Sequence, residues 1–330
     1  MQNNIKKNLN FIFFGTPDVA SETLEILKQN GFIPSLIVTS PDARHGRGLL
    51  MQASPVAIFA KKNNIPCLKP EKLTKELEAI FTTSSQDDGP RKAIFQQENM
   101  RESKNVFQFD LFIVVAYGKI IPENILNMPK LGSINVHYSL LPKYRGASPV
   151  ESAILNRDTE TGITIQKMTY KMDAGDIIAQ EKVEIGNDEK APDLRKRLIK
   201  IGGELLVKIL NIPSAQKVSL DTSPYIGEGW EGVKQDESQA TYCKKIKKED
   251  GFVNLEEEPP GVLYNKFRAY ATWPRIFFFA RHSLGEGGFQ NGKRIIITDA
   301  ELINNQFIIR KVLPEGKKEI KYEDFLKQNL

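Results

Sequence analysis

The feature that most constrains this chain is an alternation of short apolar runs with stretches of helical spacing. LNFIFFG leads to Thr16 as an N-cap, Pro17 at the first helical position and Val19, Leu24 and Leu27 on one helical face, with Gly31 closing the helix. PSLIVTS reads as a second buried strand, and Ser54-Pro55 opens the helical pattern VAIFAKKNN. FDLFIVVAYG, GSINVHYS and ITIQKMTY supply further strand-like runs. Strands alternating with helices predict an open α/β sheet, mostly parallel and covered on both faces. Ligands of such sheets sit beyond the carboxyl ends of the strands, which is where NVHYSLLP falls.

The rest of the chain divides by composition. Residues 190–210 carry apolar positions at helical spacing and close a first domain, 1–210. Residues 211–240 are rich in Pro, Gly, Ser and charge and read as a linker. Residues 241–330 hold short strands such as NGKRIIITDA and FIIRKVLP around one helix near YNKFRAY, a small β-rich domain. With 330 residues, 40% of them hydrophobic and 26% charged, the chain is long enough for two such domains. Its apolar N-terminal run is too short for a signal peptide or a membrane span, so the expected place is the cytoplasm. Cys67 and Cys243 are the only cysteines and support neither a disulfide framework nor a metal site. The net charge of +5 is modest, but its Lys and Arg bunch in the second half as KKIKKED, GKR and EGKKEIK. Such runs suit a solvated face or a phosphate backbone.

Asn135 and His137 are two apart on a predicted strand and therefore face the same side. A carboxylate is needed to orient the imidazole, and KMDAGDI offers Asp173, with Asp176 as the competitor. An imidazolium held by a carboxylate beside an amide donor suits a reaction in which negative charge builds on a carbonyl oxygen. Of the other histidines, His45 sits in a Gly/Arg loop and His282 in a predicted C-terminal loop, so only His137 lies where an α/β sheet usually keeps its site. G-x-S-x-G, G-x-x-x-x-G-K-[ST] and G-x-G-x-x-G after the first strand are all missing, which sets aside a serine nucleophile, nucleotide hydrolysis and dinucleotide redox chemistry. SPDARHGRGLLMQASP places Arg44, His45 and Arg47 among glycines in a connector that can grip a phosphate backbone.

The segments FFGTPDVA, SPDARHGRG, IVVAYGKIIP, INVHYSLLPKYRGASPV, ETGITIQKMTYKMDAGDI and DESQATYCKKIKKEDGFVNL, in that order, resemble the methionyl-tRNA formyltransferase family. That family belongs to the formyltransferases that use N10-formyltetrahydrofolate, and the resemblance covers nearly the whole chain. It implies a Rossmann-like catalytic domain followed by an OB-like barrel that helps hold the tRNA. It also implies Asn135, His137 and Asp173 as the catalytic trio, and Ser139, Leu140, Leu141 and Pro142 as the lining of the folate site. Arg44 and Arg47 are placed on the acceptor end of initiator methionyl-tRNA, and the enzyme is expected to be a monomer that needs no metal. Residues 79–105, 221–232 and 281–289 look longer than the family pattern, and their polar or Gly-rich composition suits surface insertions. Trp273, in RAYATWP, is expected in the core. The alternatives are a sibling enzyme that formylates a nucleotide-linked amino sugar or a purine precursor, and a non-catalytic tRNA-binding adaptor.

Overall fold

A computed structural model of the protein describes residues 9–45, 50–73, 109–212, 232–279 and 292–329. Arg47, His282, residues 79–105 and 281–289, and all of 221–232 except Gly232 lie outside the described residues.

The strands run β1 (Phe11–Gly15), β2 (Leu36–Val38), β3 (Ala43–His45), β4 (Leu50–Gln52), β5 (Cys67–Leu68), β6 (Leu111–Val115), β7 (Ser133–His137), β8 (Arg145–Gly146), β9 (Glu160–Lys167) and β10 (Ile177–Glu184). Then come β11 (Tyr242–Cys243), β12 (Phe277–Phe279), β13 (Arg294–Ile303), β14 (Gln306–Pro314) and β15 (Ile320–Lys321). Seven of them form one sheet in the order β10-β9-β7-β6-β1-β2-β5. β1 pairs in parallel with β2 and β6, β2 with β5, and β6 with β7, whereas β9 is antiparallel to β7. The mostly parallel sheet read from the apolar runs is therefore present. Every residue of β1, β2 and β6 is buried, as strands covered on both faces require. One core cluster packs Ile12, Phe14, Val38, Phe112, Val114 and Tyr117 together.

By packing, the described chain falls into two compact units that are discontinuous in sequence. The first holds residues up to Arg145, Gly162–Lys182 and Leu198–Ala240; the second holds Gly146–Thr161, Val183–Arg197 and Thr241–Leu330. In the second unit β12, β13, β14 and β15 form an antiparallel sheet in that order, and the helix Pro260–Ala269 packs against β13 and β14. This is the small antiparallel β domain expected at the C-terminal end. The helix Ala191–Leu210 buries Leu194, Leu198, Leu205 and Ile209, an i, i+4 spacing repeated along its length.

Three local expectations change. The first helix is Asp18–Gln29 with Pro17, not Thr16, at its N-cap, because the Thr16 hydroxyl is engaged with Ser40 (3.1 Å) and the Tyr117 carbonyl (3.2 Å). The basic connector after β2 is not a plain loop, since β3 and β4 pair in it as an antiparallel hairpin. Trp273 is 54% exposed rather than buried: Tyr270 and Ile276, on either side of the same turn, fill the core and the indole is left outside.

Candidate active site

β7 lies between β6 and β9 in the sheet interior, and its period of two puts Asn135 and His137 on one face. Across the antiparallel pair, Asn135 stands opposite Gln166 and His137 opposite Thr164. Directly opposite residues share a face. Four polar side chains therefore meet where the β7 strand ends, on a strand pair whose other face carries Ile134, Val136, Ile163 and Ile165.

The loop after His137 is wired to that face. Thr164 Oγ1 donates to the Ser139 carbonyl (2.6 Å) and accepts from the Leu141 N–H (3.0 Å). Gln180 donates to the Leu141 carbonyl (2.7 Å) and to Thr164 Oγ1 (2.9 Å), and Ser139 Oγ donates to the Lys143 carbonyl (2.6 Å). Of the four residues assigned to the folate site, Ser139 and Leu141 are buried and build the loop, while Leu140 and Pro142 are half-buried on it. The bond Leu141-Pro142 is cis, and Tyr144 follows at φ +59°. The Tyr144 carbonyl lies 2.9 Å from His137 Nε2. A carbonyl can only accept, so Nε2 carries a proton and Nδ1 is the nitrogen turned elsewhere.

Nδ1 faces Asp173 Oδ2 at 3.7 Å. The competitor Asp176 is held instead by its backbone, its carbonyl accepting from Lys167 N (2.9 Å). Asp173 sits in the left-handed region (φ +51°) between β9 and β10. Gly175 closes that loop, and a Cβ there would run into the Lys167 carbonyl, so the tight return needs a glycine. The two oxygens of Asp173 divide their work: Oδ2 faces the imidazole, and Oδ1 accepts from the Gln166 amide (3.1 Å). A separation of 3.7 Å is longer than a hydrogen bond, so the carboxylate faces the ring without bonding to Nδ1. Tyr117, at the end of β6, is a core residue: burial pushes its phenol up to about 12, and its ring packs edge-on against Phe14 at 5.5 Å.

Sequence reasoning missed Thr164, Gln166, Gln180, Arg145 and Gln235. Thr164 and Gln166 did leave a signal, being polar at alternate positions of ITIQ and almost fully buried. Arg44 is exposed on β3, and its neighbours across the hairpin, Leu50 and Met51, are 76% and 65% exposed.

Residues 7–210 match the family described as formyl transferase. A methionyl-tRNA formyltransferase of Staphylococcus epidermidis is 34% identical over 332 residues, covering 96% of this chain and 94% of that protein. The solved methionyl-tRNA formyltransferase of Clostridium thermocellum aligns with 93% of this chain and 99% of its own, at a TM-score of 0.52 and 17% identity. An N-formyltransferase from Helicobacter canadensis, solved with folinic acid and dTDP-3-aminofucose, aligns with 88% of this chain and 95% of its own at a TM-score of 0.53 and 18% identity. At such identities the two solved structures establish the fold alone and do not separate one acceptor from another. The family match over the sheet-bearing residues and the relative aligned along almost the full length decide the matter: this chain belongs to the methionyl-tRNA formyltransferases of the formyl transferase family.

Proposed function

We propose that the protein transfers a formyl group from N10-formyltetrahydrofolate to the α-amino group of methionyl initiator tRNA, with Asn135, His137 and Asp173 carrying the chemistry. The observation that supports this most is the trio itself: an amide and an imidazole on one strand face, with a carboxylate 3.7 Å from the ring nitrogen that the Tyr144 carbonyl leaves unengaged. The amine attacks the formyl carbon and a C–N bond forms while the carbonyl oxygen becomes an oxyanion. The Asn135 amide and the protonated His137 ring donate to that oxyanion. Asp173 faces the ring and accepts the amine proton, directly or through one water. The bond from carbon to N10 of the folate then breaks as the carbonyl reforms, and the proton accepted by Asp173 passes to N10.

Ser139, Leu140, Leu141 and Pro142 form the wall offered to the donor, in a loop held by hydrogen bonds from Thr164 and Gln180. Arg44 and Arg47 are the proposed contacts to the acceptor end of the tRNA, and residues 241–330 are the proposed second tRNA-holding domain, joined to 1–210 through 211–240. The enzyme acts as a monomer in the cytoplasm and needs no metal. The relatives favour a tRNA acceptor over an amino sugar, because the match along nearly the full chain is to a methionyl-tRNA enzyme.

The test is transfer of labelled formyl from N10-formyltetrahydrofolate to charged initiator methionyl-tRNA, run beside elongator methionyl-tRNA and an amino-sugar nucleotide. Transfer confined to the initiator is the expected result. Transfer to the sugar alone would keep the trio and overturn the acceptor; transfer to none of them would leave the tRNA-binding adaptor.

A further inference from the structure

We infer that Gln235 is a positioning residue of the site: it holds Asp173 against His137, with Arg145 fixing the direction of its amide. This rests on the formyl-transfer reading and adds a residue to it that lies in the connecting segment, far from the trio in sequence.

The segment bearing Gln235 is docked on the Asp173 loop by its backbone. Val233 and Ile177 exchange two hydrogen bonds of 2.8 Å, which registers the segment on the first residue of β10. Gly232 precedes it at φ +72°, and a Cβ there would press on the Asp176 side chain and the Ile177 carbonyl at 3.0 Å each. Two residues on, the buried Gln235 side chain sends Nε2 toward three oxygens: the Gly175 carbonyl (2.7 Å), the Asp173 carbonyl (2.9 Å) and Gln166 Oε1 (3.2 Å). The third of these belongs to the amide that binds Asp173 Oδ1. One side-chain amide thus holds the backbone of Asp173 directly and its carboxylate through Gln166.

The amide cannot turn over. Its Oε1 accepts from Arg145 Nε (3.1 Å) and Nη2 (2.7 Å), and a guanidinium only donates. Arg145 is fully buried, and its charge is met by Glu237, which also takes Lys171 of the Asp173 loop at 2.7 Å. Arg145 also directly follows Tyr144, whose carbonyl fixes His137 Nε2. The same pair of side chains therefore sets both partners of the His–Asp contact. Both Tyr144 and Asp173 occupy the left-handed region, a conformation that side-chain-bearing residues keep only where the surroundings enforce it.

Two substitutions test this. Gln235→Leu removes every polar contact, and Gln235→Glu keeps the acceptor for Arg145 while setting a carboxylate oxygen against three other oxygens. The Glu variant retains a partner for the buried cation and so reports even where the Leu variant does not fold. The expected result is kcat lower by about 10²-fold with KM for donor and tRNA within about threefold, as misplacement of a catalytic group by an ångström costs. An activity-independent readout accompanies it. His137 is one of three histidines, so its ring nitrogens can be assigned by NMR against a His137→Gln control, and their chemical shifts should move in the Gln235 variants. A folded variant with wild-type kcat, or with unmoved His137 ring shifts, overturns the proposal. Should the wild-type protein formylate no acceptor, the functional reading fails separately and the His137 ring shifts alone decide the role of Gln235.

Discussion

The loop after β7 and the hairpin after β2 both follow strands of the parallel part of the sheet, and they are built in opposite ways. In the first, Ser139, Leu141, Tyr144 and Arg145 are buried and Thr164, Gln180 and the loop's own carbonyls take up the polar groups. In the second, Arg44, Leu50 and Met51 point to solvent on a ribbon of two three-residue strands. Chemistry that must hold an oxyanion benefits from groups placed before the substrate arrives. A surface that meets a large polyanion needs reach and charge instead, and can adapt.

The largest effect should come from the wired loop's neighbour. His137→Ala is expected to lower kcat by about 10²- to 10³-fold, the cost of one oxyanion donor, with tRNA affinity nearly unchanged. Steady-state rates beside a filter-binding assay measure both, and a wild-type rate would remove His137 from the mechanism.

Next comes stability. Thr164→Val keeps shape but leaves the Leu141 N–H and the Ser139 carbonyl without their partner, which should cost about 1–3 kcal/mol in denaturant unfolding. Leu50→Ser on the hairpin should stay within about 0.5 kcal/mol of wild type. Equal losses at the two sites would erase the contrast between wired loop and open ribbon.

The hairpin should instead show itself in binding. Arg44→Ala is expected to raise KM for the tRNA at unchanged kcat, and to reduce the slope of log affinity against log salt by about 1. A salt slope that matches wild type would take Arg44 off the tRNA.

The smallest effect is in acid. Hydrogen bonds from Arg145, and then from Lys171, hold the Glu237 carboxyl down to about 2 from its ordinary 4.5. A carboxyl lowered by folding stabilises the protein above its unfolded value and loses that contribution as the pH falls through the folded one. The stability difference between wild type and Glu237→Gln should therefore be constant above the ordinary carboxylate range and fade between pH 4.5 and about 2. It should be small, because the Glu237 side chain is 55% exposed and solvent screens the pair. A difference that persists at the acid end would mean that the carboxylate is not what Arg145 needs.

Much of this was legible from local pattern. The buried strands β1, β2, β6 and β7 were visible as apolar runs, and Ser54 caps its helix through Ala57 N (3.0 Å) as the Ser-Pro start suggests. Thr16 was misread because its hydroxyl has two partners in other strand-end loops, at Ser40 and Tyr117. Trp273 was misread because aromatic content predicts burial on average and says nothing about which face of a turn is covered.

By itself the sequence determined what depends on short range: the alternation that makes the sheet, and the placement of Asn135 and His137 on one face, since a strand's period of two is a property of the backbone. The tertiary structure alone set Asp173 3.7 Å from the His137 ring, and it alone brought Arg145 to Gln235, 90 positions away, and Gln235 to the Asp173 carbonyl, 62 positions away. No spacing rule reaches that far. Such contacts are set by how β9, β10 and the segment after the long helix dock, and docking depends on the burial of whole surfaces rather than on any one residue's neighbours in the chain.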